Sequence, residues 1–227
     1  MSELAVALLV LAALGTLAWL QYRAMLERRQ ERLEYVAPVL PLLEAAKVEA
    51  TADFPVLTGR YAGHDVRIEP HTDTMAVRKL PSLWLLVTMR TPLPVTASLD
   101  VMMRPRNVEY WSPFDRFSVD LERPAHWPEQ AVARTDQAAA AGGMRRLIEP
   151  HLDFLRDPRG KEILITPNGV RFTWLAEEGE RGAYLLMRQA KFAGEALDAG
   201  LVRGLLERCR SVVEAAAAGA GAEQQQS

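Results

Sequence analysis

A chain of 227 residues with a formal net charge of −2 has no overall basic field with which to gather nucleic acid, and none is expected as a partner. Its single cysteine, Cys209, excludes an intramolecular disulfide and fits a reducing compartment. An apolar content of 49 % is enough for one core domain once an N-terminal segment is set apart.

That segment dominates the N-terminus. Leu4 to Tyr22 is a run of 19 residues without a charge, followed at once by Arg23, Arg28, Arg29 and Arg32. As a helix it would be about 28 Å long, at roughly 1.5 Å per residue, against a hydrocarbon core of about 30 Å. A cleaved signal peptide needs a basic start and a small-residue cleavage site; Met1, Ser2 and Glu3 supply no basic side chain, and Trp19-Leu20-Gln21-Tyr22 is no such site. The run is apolar on every face, unlike a helix packed on a soluble surface. Residues 4–22 are therefore read as a retained single-pass signal-anchor whose partner is the lipid bilayer. Four arginines after the span and none before it place the N-terminus outside and the domain in the cytoplasm, at the inner (plasma) membrane.

The expected organisation is an anchor over 1–22, a helical stalk over 23–51, an α+β domain over 52–214 and a disordered tail over 215–227. In the stalk, Leu26, Leu33 and Leu40 recur every seven residues with Val36 and Leu43 on the complementary position. Such a seam could support a homodimer, although Arg29 interrupts it and Pro38 and Pro41 break the helix. From Phe54 the apolar period shortens to two. Val56–Tyr61 and Asp65–Ile68 read as strands around Ala62-Gly63, with Pro70 ending the second. Ser82–Arg90 reads as a strand covered on both faces, followed by strands over Thr96–Arg104 and Phe117–Leu121. The Ala-rich stretch Pro128–Ala141 reads as a helix stopped by Gly142-Gly143, and Pro150 opens a short helix to about Arg156. Glu162–Trp174 is a hairpin about Asn168-Gly169, and Tyr184–Met187 is a candidate strand. Ala193, Leu197, Leu201, Leu205, Cys209 and Val212 form the stripe of an amphipathic C-terminal helix. The alanine- and glutamine-rich tail after it supplies no apolar face. Strands, then helices, then strands indicate a mainly antiparallel sheet packed with helices.

Chemistry-bearing motifs are sparse. No Gly-x-Ser-x-Gly, Walker-type or Gly-x-Gly-x-x-Gly sequence occurs, and no cofactor is expected. The densest polar cluster runs from His64 to Asp73. On a strand it puts Asp65, Arg67, Glu69 and His71 on one face, where Asp65, Glu69 and His71 could hold a metal or exchange protons. The same row also arises on any half-exposed strand that packs Val66 and Ile68 inward. His126 lies in a Pro-flanked loop without partner spacing, and His151 falls at the edge of a short amphipathic helix. Arg104 and Arg106, with Arg145 and Arg146, would form a lipid-headgroup surface only if the fold clustered them. One aromatic-rich loop, Tyr110-Trp111-Ser112-Pro113-Phe114-Asp115-Arg116-Phe117, offers Tyr110, Trp111, Phe114 and Arg116 as anchors for a protein partner. The alternative is that it packs on the sheet.

The order of span, Thr58-Gly59-Arg60-Tyr61, paired strands, Phe114-Asp115-Arg116-Phe117, Pro150 and closing helix resembles uncharacterised bacterial membrane-anchored domains of unknown function. That resemblance implies the architecture and no activity. Two functional readings follow from the residues: a membrane-anchored cytoplasmic binding or scaffold domain with a protein partner, or a membrane-tethered hydrolase or metal-dependent enzyme using His64–Asp73.

Overall fold

The structure is a computed structural model describing residues 3–74, 80–105, 109–182, 184, 190–192, 194 and 196–224. An uninterrupted helix, α1 (Glu3–Val36), leads into a 3-10 turn over Ala37–Leu42. The nine strands among the described residues are β1 (Glu44–Glu49), β2 (Val56–Tyr61), β3 (His64–Asp73), β4 (Ser82–Arg90), β5 (Leu99–Met103), β6 (Val119–Leu121), β7 (Ala131–Thr135), β8 (Gly160–Thr166) and β9 (Gly169–Glu178). They form one sheet in the order β1-β2-β3-β4-β9-β8-β5-β7-β6, antiparallel at every pairing. Longer helices among the described residues are α2 (Ala138–Ile148), α3 (Leu152–Arg156) and α4 (Ala199–Gln224). The α+β architecture is the one the residue pattern indicates.

One sheet face carries the main core. Ile68, Leu83, Leu85, Val87, Met89, Leu99, Val101, Ile163, Ile165 and Phe172 alternate along their strands and are buried against the helices. Helix α4 contributes Leu205, Leu206, Cys209 and Val212 to this layer, and the Cys209 thiol donates to Val87 O at 3.7 Å. Full burial pushes that thiol up to about 12, so Cys209 is a packing residue and not a nucleophile.

The turns explain the hairpins. Ala62 and Gly63 both have positive φ, 49° and 83°, which suits the two-residue turn whose twist matches paired strands. In the β8–β9 hairpin the turn residues are Pro167 and Asn168, with Gly169 opening β9 opposite Thr166. A Cβ on Gly169 would stand 2.2 Å from Met89 O, so only glycine lets β9 pass β4 there.

Several expectations are corrected. Residues 44–49, expected in a helical stalk, are the exposed edge strand β1. Pro70 does not end β3: beyond Ile68 that strand pairs only with β4, so a residue without an N–H sits on what is locally an edge. The stretch 128–141 splits into β7 and the start of α2, because pairing of Ala131–Thr135 with β5 and β6 outweighs alanine's helical preference. Helix α2 then runs through Gly142-Gly143, since Ala141, Met144, Leu147 and Ile148 are buried beneath it. Tyr184 accepts a helical turn, its N–H donating to Glu180 O at 3.1 Å, rather than a strand; residues 185–187 of that expected strand lie outside the described residues. The expected disordered tail is helical as far as Gln224, with Ala216 buried, and 225–227 lie outside the described residues.

The junction between α1 and the domain is packed, not jointed. Tyr35, Val36, Val39 and Leu43 belong to the domain core, and Tyr35 meets Phe54 edge-on at 5.2 Å. Arg32 donates to Ala52 O and Asp53 O, both at 3.1 Å, and pairs with the Asp53 carboxylate at 3.0 Å. Leu197 N–H donates to Tyr35 O at 2.7 Å. Two of the expected seam residues, Val36 and Leu43, are thus used by the chain's own core, while Leu26 and Leu33 remain exposed.

His151 sits in the core against Phe172, 5.3 Å between ring centres, with neither ring nitrogen hydrogen-bonded. Burial and the Arg208 charge hold it down to about 4. The folded state therefore keeps it neutral while an unfolded chain protonates it below about 6.5, so folding stability falls as pH drops through that window. His151→Met should flatten this slope, recovering up to about 3 kcal/mol near pH 4 relative to the difference at pH 8, as read by denaturant unfolding of the full chain in detergent.

Candidate functional site

The second sheet face is different in kind. Residues between the core positions point here: Trp84, Leu86, Thr88 and Arg90 from β4, Asp100 and Met102 from β5, Glu162 and Leu164 from β8, Arg171 and Thr173 from β9. No helix covers it. The aromatic loop over residues 109–117 lies across it instead, and Trp111 and Phe114 join Leu86 and Met102 in a small separate core.

Nearly every residue of that loop is fastened. Glu109 is held by the buried Lys161 ammonium at 2.7 Å, which also donates to Met103 O and Arg104 O at 3.1 Å. Burial lowers the Lys161 pKa, with the Glu109 carboxylate opposing the change. Tyr110 donates its hydroxyl to Thr72 O at 2.9 Å and stands beside His71, ring centres 5.1 Å apart. Trp111 packs on Trp84 at 5.7 Å. The Arg134 guanidinium covers the Phe114 ring at 4.5 Å and pairs with Asp115 at 3.2 Å and Asp120 at 2.8 Å.

Beneath the loop lies a polar centre that the linear pattern does not single out. Asp100 and Glu162, both fully buried, come from adjacent strands. Ser112 Oγ donates to Glu162 Oε1 and lies 3.5 Å from Asp100 Oδ2, while its oxygen accepts the Phe114 N–H at 3.1 Å. Glu162 Oε2 accepts from Arg171 Nε at 3.0 Å and from the Thr173 hydroxyl at 2.7 Å. Glu162 thus accepts from a cation and two hydroxyl donors; Asp100 has none of these to itself. Burial, then the neighbouring Glu162 charge, raises the Asp100 pKa well above the carboxylate range, so Asp100 is the protonated member of the pair. Its Oδ1 accepts no hydrogen bond, as suits a neutral acid. The signal available in sequence was charge at an inward-alternating position: Asp100 within Leu99–Met103 and Glu162 within Gly160–Thr166, runs otherwise apolar.

The residues singled out from sequence divide. Tyr110 and Arg116 are exposed, whereas Trp111 and Phe114 are buried and serve as the loop's anchors to the sheet. Asp65, Glu69 and His71 do share one strand face, but Arg67 stands among them and binds Glu69 at 3.1 Å and Glu49 at 3.1 Å; Asp65 lies against Arg60 at 3.9 Å. His71 Nδ1 is 3.9 Å from Glu69. Among the described residues no group of three or more His, Cys, Asp and Glu side chains is placed to hold a metal ion. The arginines proposed as a lipid surface are spent separately: Arg104 donates to Pro158 O and Gly160 O, and Arg145 to Glu122 O, while Arg106 lies outside the described residues.

No family model matches the chain, and no curated protein matches it. Among solved structures, the crystal structure of the mycobacterial trehalose monomycolate transport factor A, TtfA, is similar over 78 % of this chain and 76 % of its own, with a TM-score of 0.37 and 10 % identity. A likeness that distant is not evidence of shared function.

The pair gives a sharp mutational signature. Asp100→Asn replaces a neutral acid by a neutral amide, and it removes the cost of holding Asp100 protonated as pH rises above the carboxylate range. It should leave stability at pH 7 within about 1 kcal/mol of the parent or above it. Glu162→Gln strips the half-buried Arg171 of its counter-charge beside Asp100 and should cost about 2–4 kcal/mol. Equal losses in both variants, measured by chemical unfolding, would contradict the protonation assigned here.

Proposed function

We propose that this chain is a single-pass membrane protein, N-terminus outside and domain in the cytoplasm, whose domain is a binding or scaffold module for a protein partner. The observation that carries it is the state of α1: the helix is long and apolar enough to cross a membrane, none of its apolar window is buried, and it continues without a break into the domain core. Water does not tolerate such a surface, and none of the described residues covers it. Thr16, the one hydroxyl in mid-span, is satisfied by Ala12 O at 2.8 Å, and Arg23 lies over Trp19 at 5.4 Å at the span's end. Arginines 23, 28, 29 and 32 on one side supply the orientation.

The binding reading rests on the loop. A segment clamped by Lys161, Trp84 and Arg134 holds Tyr110 and Arg116 outward at fixed positions, and a rigid Tyr/Arg surface costs little entropy to dock. Asp100 and Glu162 could exchange a proton chemically, but they are sealed under Trp111 and Phe114, so they fasten the loop. The enzyme reading through His64–Asp73 finds its carboxylates turned to arginines.

C-terminal fusions after Ser227 should be active with a cytoplasmic reporter and silent with a periplasmic one; the opposite result overturns the orientation. In pull-downs of the full chain from its own membranes, Arg116→Ala should lose the co-purifying partner at unchanged Tm, and Tyr110→Ala should lose it with a small fall in Tm from the lost Thr72 hydrogen bond. Changing Asp65, Glu69 and His71 to alanine should keep it. The reverse pattern would favour the enzyme reading.

A further inference from the structure

At the far end of the open face, away from the aromatic loop, β4, β8 and β9 enclose a notch of about 230 Å³ lined by Thr88, Arg90, Leu164, Thr166, Asn168 and Arg171. Its origin is local. Gly169 is the cross-strand partner of Arg90 and brings no side chain, so the space beside Arg90 stays open. Thr88 faces Arg171 across the same pair of strands, which makes Arg90 and Arg171 diagonal neighbours on one face, about 7–8 Å apart and within reach of a single small anion.

The electrostatics of the notch are unbalanced. Arg90 is exposed and has neither an ion pair nor a hydrogen bond with any described residue. Asp65, its cross-strand neighbour on β3, leans to Arg60 at 3.9 Å instead. Arg171 is held by Glu162 through Nε and Nη2 and reaches Trp111 O with Nη1 at 3.5 Å, so its guanidinium is a fixed positive wall of the notch and not a swinging side chain. Asn168 and Thr88 add neutral polar groups at the rim, and Leu164 supplies an apolar floor. Two guanidiniums, one of them without a counter-ion, beside polar donors and over a small apolar surface suit a tetrahedral oxyanion attached to a carbon body.

We propose that this notch binds the phosphate group of a small ligand, with Arg90 as the exposed clamp and Arg171 as the fixed one. The ligand is either a soluble phosphate compound or an anionic phospholipid headgroup, sources that share the recognised group. The domain is rigidly joined to the span, so a headgroup is reached only if the notch faces the bilayer; a soluble ligand needs no such placement.

The test uses the full chain in nanodiscs, with phenylglyoxal footprinting read residue by residue in a mass spectrometer. In neutral-lipid discs, inorganic phosphate should protect Arg90 while leaving the exposed Arg28 and Arg116 unprotected, which assigns a soluble ligand. Protection of Arg90 in phosphatidylglycerol discs without added phosphate assigns the headgroup. A second readout is the phosphate-dependent rise in Tm. Arg90→Gln, on an exposed side chain, should fold like the parent and weaken that response about tenfold or more, the effect of losing a charge-assisted contact; Thr88→Val should weaken it less. No selective protection of Arg90 by either source, or a Tm response that Arg90→Gln leaves intact, overturns the proposal.

Discussion

The rest of the structure depends on where the end of α1 is buried. A helix whose first part is apolar on all sides ends with Tyr35, Val36 and, one 3-10 turn later, Val39 inside the domain core. These residues lie against Phe54 and Leu197 from distant parts of the chain, so the core is incomplete without them. The long apolar helix and the domain are therefore one mechanical body. From Tyr22 to Arg32 the helix rises about 15 Å, at roughly 1.5 Å per residue, which in the proposed anchored state bounds how far the domain can stand from the bilayer. Such a junction restricts the domain's orientation relative to α1 as a flexible linker would not.

The sheet divides the work. Its helix-covered face supplies the apolar burial that drives folding, through Phe172, Leu85, Ile163 and the stripe of α4. Its other face has too little covering chain to bury an apolar surface of that size. Polar groups are tolerated there because they are mutually satisfied: Glu162 by Arg171, Thr173 and Ser112, and Lys161 by Glu109 and two carbonyls. This arrangement holds a loop in one place, which an apolar contact alone would do less specifically. Asp100 is accommodated by giving up its charge. Among the described residues Arg90 is a cation on this face without a counter-ion, and it lies where a glycine leaves room.

Much of the fold is legible in the residues because local and tertiary preferences agree. Ser82–Arg90, Val56–Tyr61 and the α4 stripe from Leu201 to Val212 form as the pattern indicates, whereas Leu197 precedes the helix and Ala193 lies outside the described residues. The disagreements arise where pairing decides against composition. Glu44–Glu49 reads as helix but becomes an edge strand because β2 offers an open ladder, and the charges on Glu44, Lys47 and Glu49 suit an exposed edge. Ala131–Thr135 is recruited in the same way between β5 and β6. The row Asp65, Arg67, Glu69, His71 is legible as a row, but its partners are not, since Glu49 and Arg60 reach it across strands. Asp100, Ser112, Glu162 and Arg171 are spread over some seventy residues of sequence and meet only through sheet order. No local spacing could have joined them.

The junction can be measured directly. Cys209 is fully buried and its thiol unreactive, so cysteines introduced at the exposed positions Arg28, on α1, and Glu129, in the loop before β7, can be spin-labelled selectively in the full chain. Pulsed electron–electron double resonance in lipid nanodiscs should give one narrow distance distribution, unchanged on transfer to detergent. A broad or multiple distribution would mean that the helix swings on a hinge, and the account of long apolar helix and domain as a single body would be wrong.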